Sequence, residues 1–195
     1  MKTVGIFMFN EVEVLDFAGA FEVFSLAEDE HRDKLFKVIT IAQTPDIIHA
    51  RNGLQIKPDY QFDNHPTLDV LVIPGGYGAE KIEINNATAL GWIAKNHAQV
   101  SQTLSICTGA FLLAEIGVLD GKMATTHWMD LPLFAKEYPQ IDVVANRRYV
   151  DAGDVITSAG ISSGIQASLY TVSKLTSKQI ANATAKRMEF DFYLD

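Results

Sequence analysis

Cysteine is almost missing from this chain: Cys107 is the only one among 195 residues. An intrachain disulfide and a thiolate-based zinc site are both excluded, and such cysteine usage suits the cytoplasm. Basic residues are also scarce. Sixteen Lys and Arg against 24 Asp and Glu leave a formal charge of -8, a field that repels phosphate backbones and anionic lipid heads. Neither nucleic acid nor a membrane is therefore an expected partner. No apolar run approaches the roughly 18 residues of a membrane span. The start carries one Lys and an apolar run but no small-residue cleavage site before Glu11, Glu13 and Asp16, so no signal peptide is expected. Histidine is absent after His127, and His31, His49, His65 and His97 share no metal-ligand spacing. They are expected at the surface, with no metal bound. Repeats, low-complexity segments and linkers are absent too.

What remains is globular: 48% hydrophobic and 21% charged residues, at a length that one core serves. A single domain over residues 1–195 is expected. Residues 3–9, rich in Val, Ile and Phe, suit a strand buried on both faces. A helix over 17–27 follows, with apolar residues at three- and four-residue steps and Asp16 as a possible cap. Strands are expected over 36–42, 70–73, 103–106, 124–126, 143–145, 148–150 and 155–157. A small hairpin pairs 47–49 with 54–57 around Asn52-Gly53, and residues 151–154 turn between the last two strands. Helices are expected over 87–96, 109–116, 128–138 (interrupted near its start by Pro132), 163–175 and 177–188. Strands alternating with helices imply an α/β fold, an open and mostly parallel sheet covered on both faces. Ligands bind such sheets beyond the carboxyl ends of the strands.

Several reactive side chains fall on that edge. Cys107 lies between the apolar strand ending at Ile106 and a helix opening Thr108-Gly109-Ala110, the arrangement of a nucleophile elbow. Amides at the helix start would favour its thiolate; the plainer role is a small core residue. The loop Pro74-Gly75-Gly76-Tyr77-Gly78 permits positive φ, and the Gly75 and Gly76 amides could meet charge developing on a substrate. They could equally be turn glycines. Asp16 should reach the same edge, where burial beside a thiolate would raise its pKa and let it donate a proton near neutrality. Its alternative is the helix cap, and Glu13 and Glu22 are competing carboxylates. His127 ends a strand at the edge and could approach Cys107, or act as a lid residue bonding only backbone. Trp92 and Trp128 are packing residues, Trp128 with an option on the pocket wall.

These segments together resemble the ThiJ/PfpI superfamily over nearly the whole chain. The resemblance is carried by Val14-Leu15-Asp16 with Gly19, Ile73-Pro74-Gly75-Gly76, Ser105-Ile106-Cys107-Thr108-Gly109, residues 121–128 and Thr157-Ser158-Ala159-Gly160-Ile161. It implies a three-layer, flavodoxin-like α/β sandwich of the class I glutamine amidotransferase type. The Asp and the Cys-Thr-Gly elbow look like the isocyanide hydratase branch. That branch implies hydration of R–N≡C to an N-substituted formamide without cofactor. Cys107 would attack the carbon, Asp16 would shuttle protons, Thr108 would orient the Asp or the water, and the Gly76 amide would line the pocket. The family also implies a homodimer acting on a small-molecule substrate.

The branch places Gly-Pro after its Asp, whereas this chain has Gly19-Ala20. The same motifs also resemble the amidase-like domains of AraC-type transcriptional regulators, implying ligand or redox sensing without turnover. The residues after Leu175 are too few for a pair of helix-turn-helix modules, so direct DNA binding is not expected. A glyoxalase- or amidase-type hydrolase would use the same thiolate. Thr108 stands where the intracellular proteases of the superfamily carry His, and no late His completes a glutamine amidotransferase triad. Both of those activities are disfavoured.

Overall fold

The computed structural model describes residues 1–192. Eleven strands and seven α-helices alternate along these residues. Strand β1 (Lys2–Met8) is buried on both faces from Val4 onward, as an inner parallel strand requires. It pairs with β2 (Phe36–Ala42) on one side and β6 (Val70–Ile73) on the other. Next come β7 (Gln102–Ile106) and β11 (Val155–Ser158), also parallel. At the edge, β10 (Tyr149–Asp151) returns antiparallel to β11 through the expected turn. At the opposite edge lies β5 (Tyr60–Gln61), a parallel strand of two residues too short for any periodicity to announce. The full order is β10-β11-β7-β6-β1-β2-β5.

Helices α1 (Val14–Leu26), α6 (Ser163–Leu175) and α7 (Lys178–Arg187) pack together on one face. Helices α2 (Tyr77–Lys81), α3 (Ala87–His97) and α4 (Gly109–Glu115) cover the other. The result is the three-layer sandwich expected from the alternation. Its core is carried by fully buried Ile6, Phe7, Phe24, Ile73, Leu104, Ile106 and Leu112. Burying each such side chain contributes about 1.5–3 kcal/mol.

The small hairpin forms from β3 (Ile48–His49) and β4 (Gln55–Ile56). Residues expected as sheet strands near 124 and 143 instead make a separate parallel pair, β8 (Met123–Ala124) with β9 (Asp142–Val143). Helix α5 (Leu131–Glu137) starts three residues later than expected, with Pro132 in its first turn. There the missing N–H costs nothing, so Pro132 starts this helix and does not interrupt it. Two of the histidines expected at the surface are half-buried. His65 Nε2 accepts from Trp92 Nε1 at 3.1 Å, and His97 Nδ1 lies 2.9 Å from Thr103 Oγ1. Trp92 itself stacks on Phe62 with ring centroids 4.4 Å apart, the packing role expected of it.

Among the described residues no helix is long and apolar enough to cross a membrane.

Candidate active site

The carboxyl ends of β1, β6, β7 and β11 converge on one region, and there the chain leaves ordinary backbone geometry. Cys107, between β7 and α4, has φ 56°. An L-residue in the left-handed region costs roughly 1–2 kcal/mol, and hydrogen bonds to both its N–H and its carbonyl hold it there. The Cys107 N–H is shared between the carbonyls of Ser158 at 3.2 Å and Ala159 at 3.3 Å. The Thr126 hydroxyl donates to the Cys107 carbonyl at 2.8 Å. The sharp turn expected from strand–Cys–helix is present, and the side chain, only 6% exposed, opens into a cavity of about 390 Å³.

Asp16 does not cap α1. The helix begins two residues earlier at Val14, with Glu13 in the cap position and no side-chain cap bond. Asp16 is instead fully buried, and its Oδ2 accepts the Gly75 N–H at 2.9 Å. Among the described residues its Oδ1 has no hydrogen-bond partner. The Cys107 thiol lies within interaction range of this carboxyl without forming a well-shaped bond. Burial is the main force on the Asp16 pKa, and the Glu13 charge adds to it; together they outweigh the Gly75 N–H and the thiol and push it up to about 7. The expected rise comes from burial, whereas the expected contribution of a thiolate is not present, because the Cys107 thiol acts to lower the value.

Cys107 departs from expectation. Burial, and then the Asp16 charge, push its pKa well above that of an ordinary thiol, although the Thr108 and Ile161 amides pull it down. Helix α4 has only seven residues, and the amides at its start do not offset desolvation. With both pKa values raised, the pair keeps at least one proton at neutral pH, and its titrations belong to the pair. The proton that sulfur gives up has the Asp16 carboxyl beside it to receive it.

The two glycine amides expected to be free donors are both engaged. Gly75 holds Asp16, and the Gly76 N–H donates to Thr108 Oγ1 at 2.9 Å. Gly76 has φ 117°, a conformation that favours glycine, and lines the cavity beside Thr108. The backbone groups that reach Cys107 are the Thr108 and Ile161 amides. Ile161 is itself at φ 49°, an outlier for a β-branched residue.

His127 does line the cavity, and its Nδ1 lies 3.2 Å from Asp130 Oδ2. Gly160 permits this: a Cβ there would collide with the His127 ring. Trp128 is 71% exposed and is not part of the wall. Of the two competing carboxylates, Glu13 lines the cavity, whereas Glu22 is exposed. Arg51, Tyr77, Glu80, Met129, Asp130 and Ile161 complete it. No motif marked Arg51, Glu80 or Met129, which arrive from separate elements. The Glu80 carboxyl interacts with the Thr108 hydroxyl, and burial with the nearby Asp130 charge raises its pKa.

A profile described as the DJ-1/PfpI family matches residues 2–174. The chain belongs to the DJ-1/PfpI family. It is 30% identical over 188 residues to an isonitrile hydratase of Pseudomonas putida, covering 96% of this chain and 78% of that one. It is 22% identical over 191 residues to the HTH-type transcriptional regulator GbdR of Pseudomonas aeruginosa, covering 97% of this chain and 51% of the regulator. The chain thus spans about half of that regulator's length. Among solved structures, a ThiJ/PfpI family protein from Pseudomonas syringae superposes with TM-score 0.87 at 26% identity, over 97% of this chain and 75% of that one. The DJ-1/PfpI family therefore includes an enzyme and transcriptional regulators that share this domain.

Proposed function

We propose that the protein is a cofactor-independent, cysteine-dependent hydratase that converts isocyanides to N-substituted formamides. The observation that carries this reading is the pairing of buried Asp16, one of whose oxygens has no partner, with Cys107 on a strained turn at a cavity floor. The similarity to an isonitrile hydratase supports it.

The pair performs each proton transfer without outside groups. The Asp16 carboxylate takes the Cys107 proton as sulfur bonds to the terminal carbon of R–N≡C. Asp16 returns that proton to the same carbon, giving the thioimidate R–N=CH–S. Water then adds its oxygen to that carbon, and Asp16 relays the released proton to nitrogen. On collapse the hydroxyl proton passes to Asp16, the C–S bond breaks, and R–NH–CHO leaves. The proton on Asp16 then returns to sulfur. An acid pushed up to about 7 suits a group that must both take and give protons near neutrality. Thr108 is a positioning residue, tying Gly76 to the elbow and reaching Glu80. His127, held by Asp130, is a wall residue that can bond the substrate or its water.

Incubation with a panel of alkyl and aryl isocyanides, with formamide followed by mass spectrometry, tests the reading. Formamide formation is the expected result, and no turnover of any isocyanide would refute it.

A sensing domain is the second reading, favoured by the regulators that share this domain. It predicts saturable ligand binding at the cavity with no product. A homodimer is proposed for either reading; light scattering at micromolar concentration is expected to give twice the chain mass.

A further inference from the structure

The Cys107 cavity carries an uneven set of charges. Among the described residues, Glu13, Glu80 and Asp130 line it, all three half-buried, against one lining cation, Arg51, while Lys81 acts on Glu80 from outside the lining. Arg51 is already committed: its Nη1 lies 2.9 Å from Glu11 Oε2, and its guanidinium sits 5.5 Å from the Tyr77 ring centroid. Asp130 pairs with His127 at 3.2 Å. Beneath the floor, Asp16 keeps one carboxyl oxygen without a partner. The Gly75 and Gly76 amides are taken, by Asp16 and by Thr108, and the Thr108 and Ile161 amides face the Cys107 sulfur itself. Elsewhere in the wall, Tyr77 offers a ring that can meet an ammonium group, and Met129 and Ile161 offer apolar surface to its alkyl substituents.

We infer that this cavity selects by charge, admitting molecules with a cationic substituent and rejecting carboxylates and sulfonates. Within the hydratase reading, on which the substrate class rests, the substrates are isocyanides bearing an ammonium group a few bonds from the N≡C carbon. Electrostatic focusing produces this selection, because like charges in a partly desolvated cleft raise the local concentration of the opposite ion. The sum of these charges also acts on the reaction. Adding sulfur to an isocyanide passes negative charge to carbon before protonation, and a cation nearby stabilises it.

Because Cys107 is the only cysteine, charge selection can be read without turnover. Thiol attack on a methanethiosulfonate forms one disulfide and releases methanesulfinate. The rate at Cys107 is measured with 2-(trimethylammonio)ethyl, 2-sulfonatoethyl and methyl methanethiosulfonate, each divided by its rate with a small free thiol. Thiol acidity cancels in the ratio of cationic to anionic reagent. That ratio is expected to be at least tenfold, to fall roughly threefold for each charge removed in Glu13→Gln and Glu80→Gln, and to shrink with added salt. Glu13 is suitable because its side chain makes no helix-cap bond. In parallel, 2-(trimethylammonio)ethyl isocyanide is compared with its neutral isostere, 3,3-dimethylbutyl isocyanide, and with isocyanoacetate. A higher kcat/KM for the cation than for the isostere, and a lower one for the anion, is expected. A normalised reagent ratio near one, or one unmoved in the double variant, overturns the inference even if isocyanides are hydrated. Retained reagent selectivity with no isocyanide turnover supports the charge selection and removes the hydratase reading alone.

Discussion

The Gly75 amide donates to the buried Asp16 carboxylate at 2.9 Å across 59 residues of sequence, and this bond ties the loop after β6 to the start of α1. Among the described residues no well-shaped hydrogen bond reaches the second oxygen of that carboxyl, although the Cys107 thiol lies within range of it. The site therefore holds a group that folding would be easier without.

The stability consequence has a definite sign. Unfolded Asp16 ionises near its ordinary value, whereas in the folded chain it does so near 7. Between these limits the native state binds more protons, so the Asp16 contribution falls as pH rises through the window and is constant above it. Three pH units correspond to at most about 4 kcal/mol. Asp16→Asn, which can still accept from Gly75, is expected to be more stable than the parent at pH 8 by about 2–4 kcal/mol and nearly equal to it at pH 4. Urea unfolding at both values checks this.

Activity is expected to run the other way. The form that starts the reaction has ionised Asp16 and a thiol on Cys107. A kcat/KM profile on an isocyanide should rise about tenfold per pH unit below 7 and level off above it. A profile that falls through neutrality would mean that protonated Asp16 is the required form.

Gly160 and His127 give a test of the wall. A Cβ at Gly160 collides with the imidazole, so Gly160→Ala must displace the ring and break its contact with Asp130. A drop in kcat/KM of about tenfold or more is expected, with Cys107 alkylation by a neutral reagent changed far less. Substrate titrations and alkylation rates on the same sample separate the two.

The elbow has its own strut. Thr126 is fully buried and donates to the Cys107 carbonyl at 2.8 Å. Thr126→Val keeps the shape and removes the donor, so a loss of about 1–3 kcal/mol is expected in denaturant unfolding. The same substitution should lower the alkylation rate of Cys107, whose left-handed backbone loses one of its supports.

Legibility in the sequence followed the reach of the forces involved. Strands β2 and β6 and helix α6 have the expected limits because their apolar runs and turn residues are local signals. Strand β5 escaped because two residues show no period, and α2 because a five-residue helix behind Gly75-Gly76 reads as loop. The start of α1 was misjudged for a more telling reason. Asp16 has the chemistry of a cap, but a tertiary bond to Gly75 claims its carboxylate and draws it into the core. The Cys107 elbow was legible from strand, cysteine and small-residue helix start. Its high pKa was not, since desolvation depends on what the rest of the chain places around the sulfur. Glu80 and Arg51 reach the cavity only through folding, and no spacing relates them to Cys107.

In the hydratase reading one thiol carries out the chemistry, and the chain's single cysteine makes that directly measurable. Formamide production from an isocyanide should fall by at least about a thousandfold in Cys107→Ala, with the fold intact by circular dichroism. Formamide formed at the parent rate by Cys107→Ala would contradict the account.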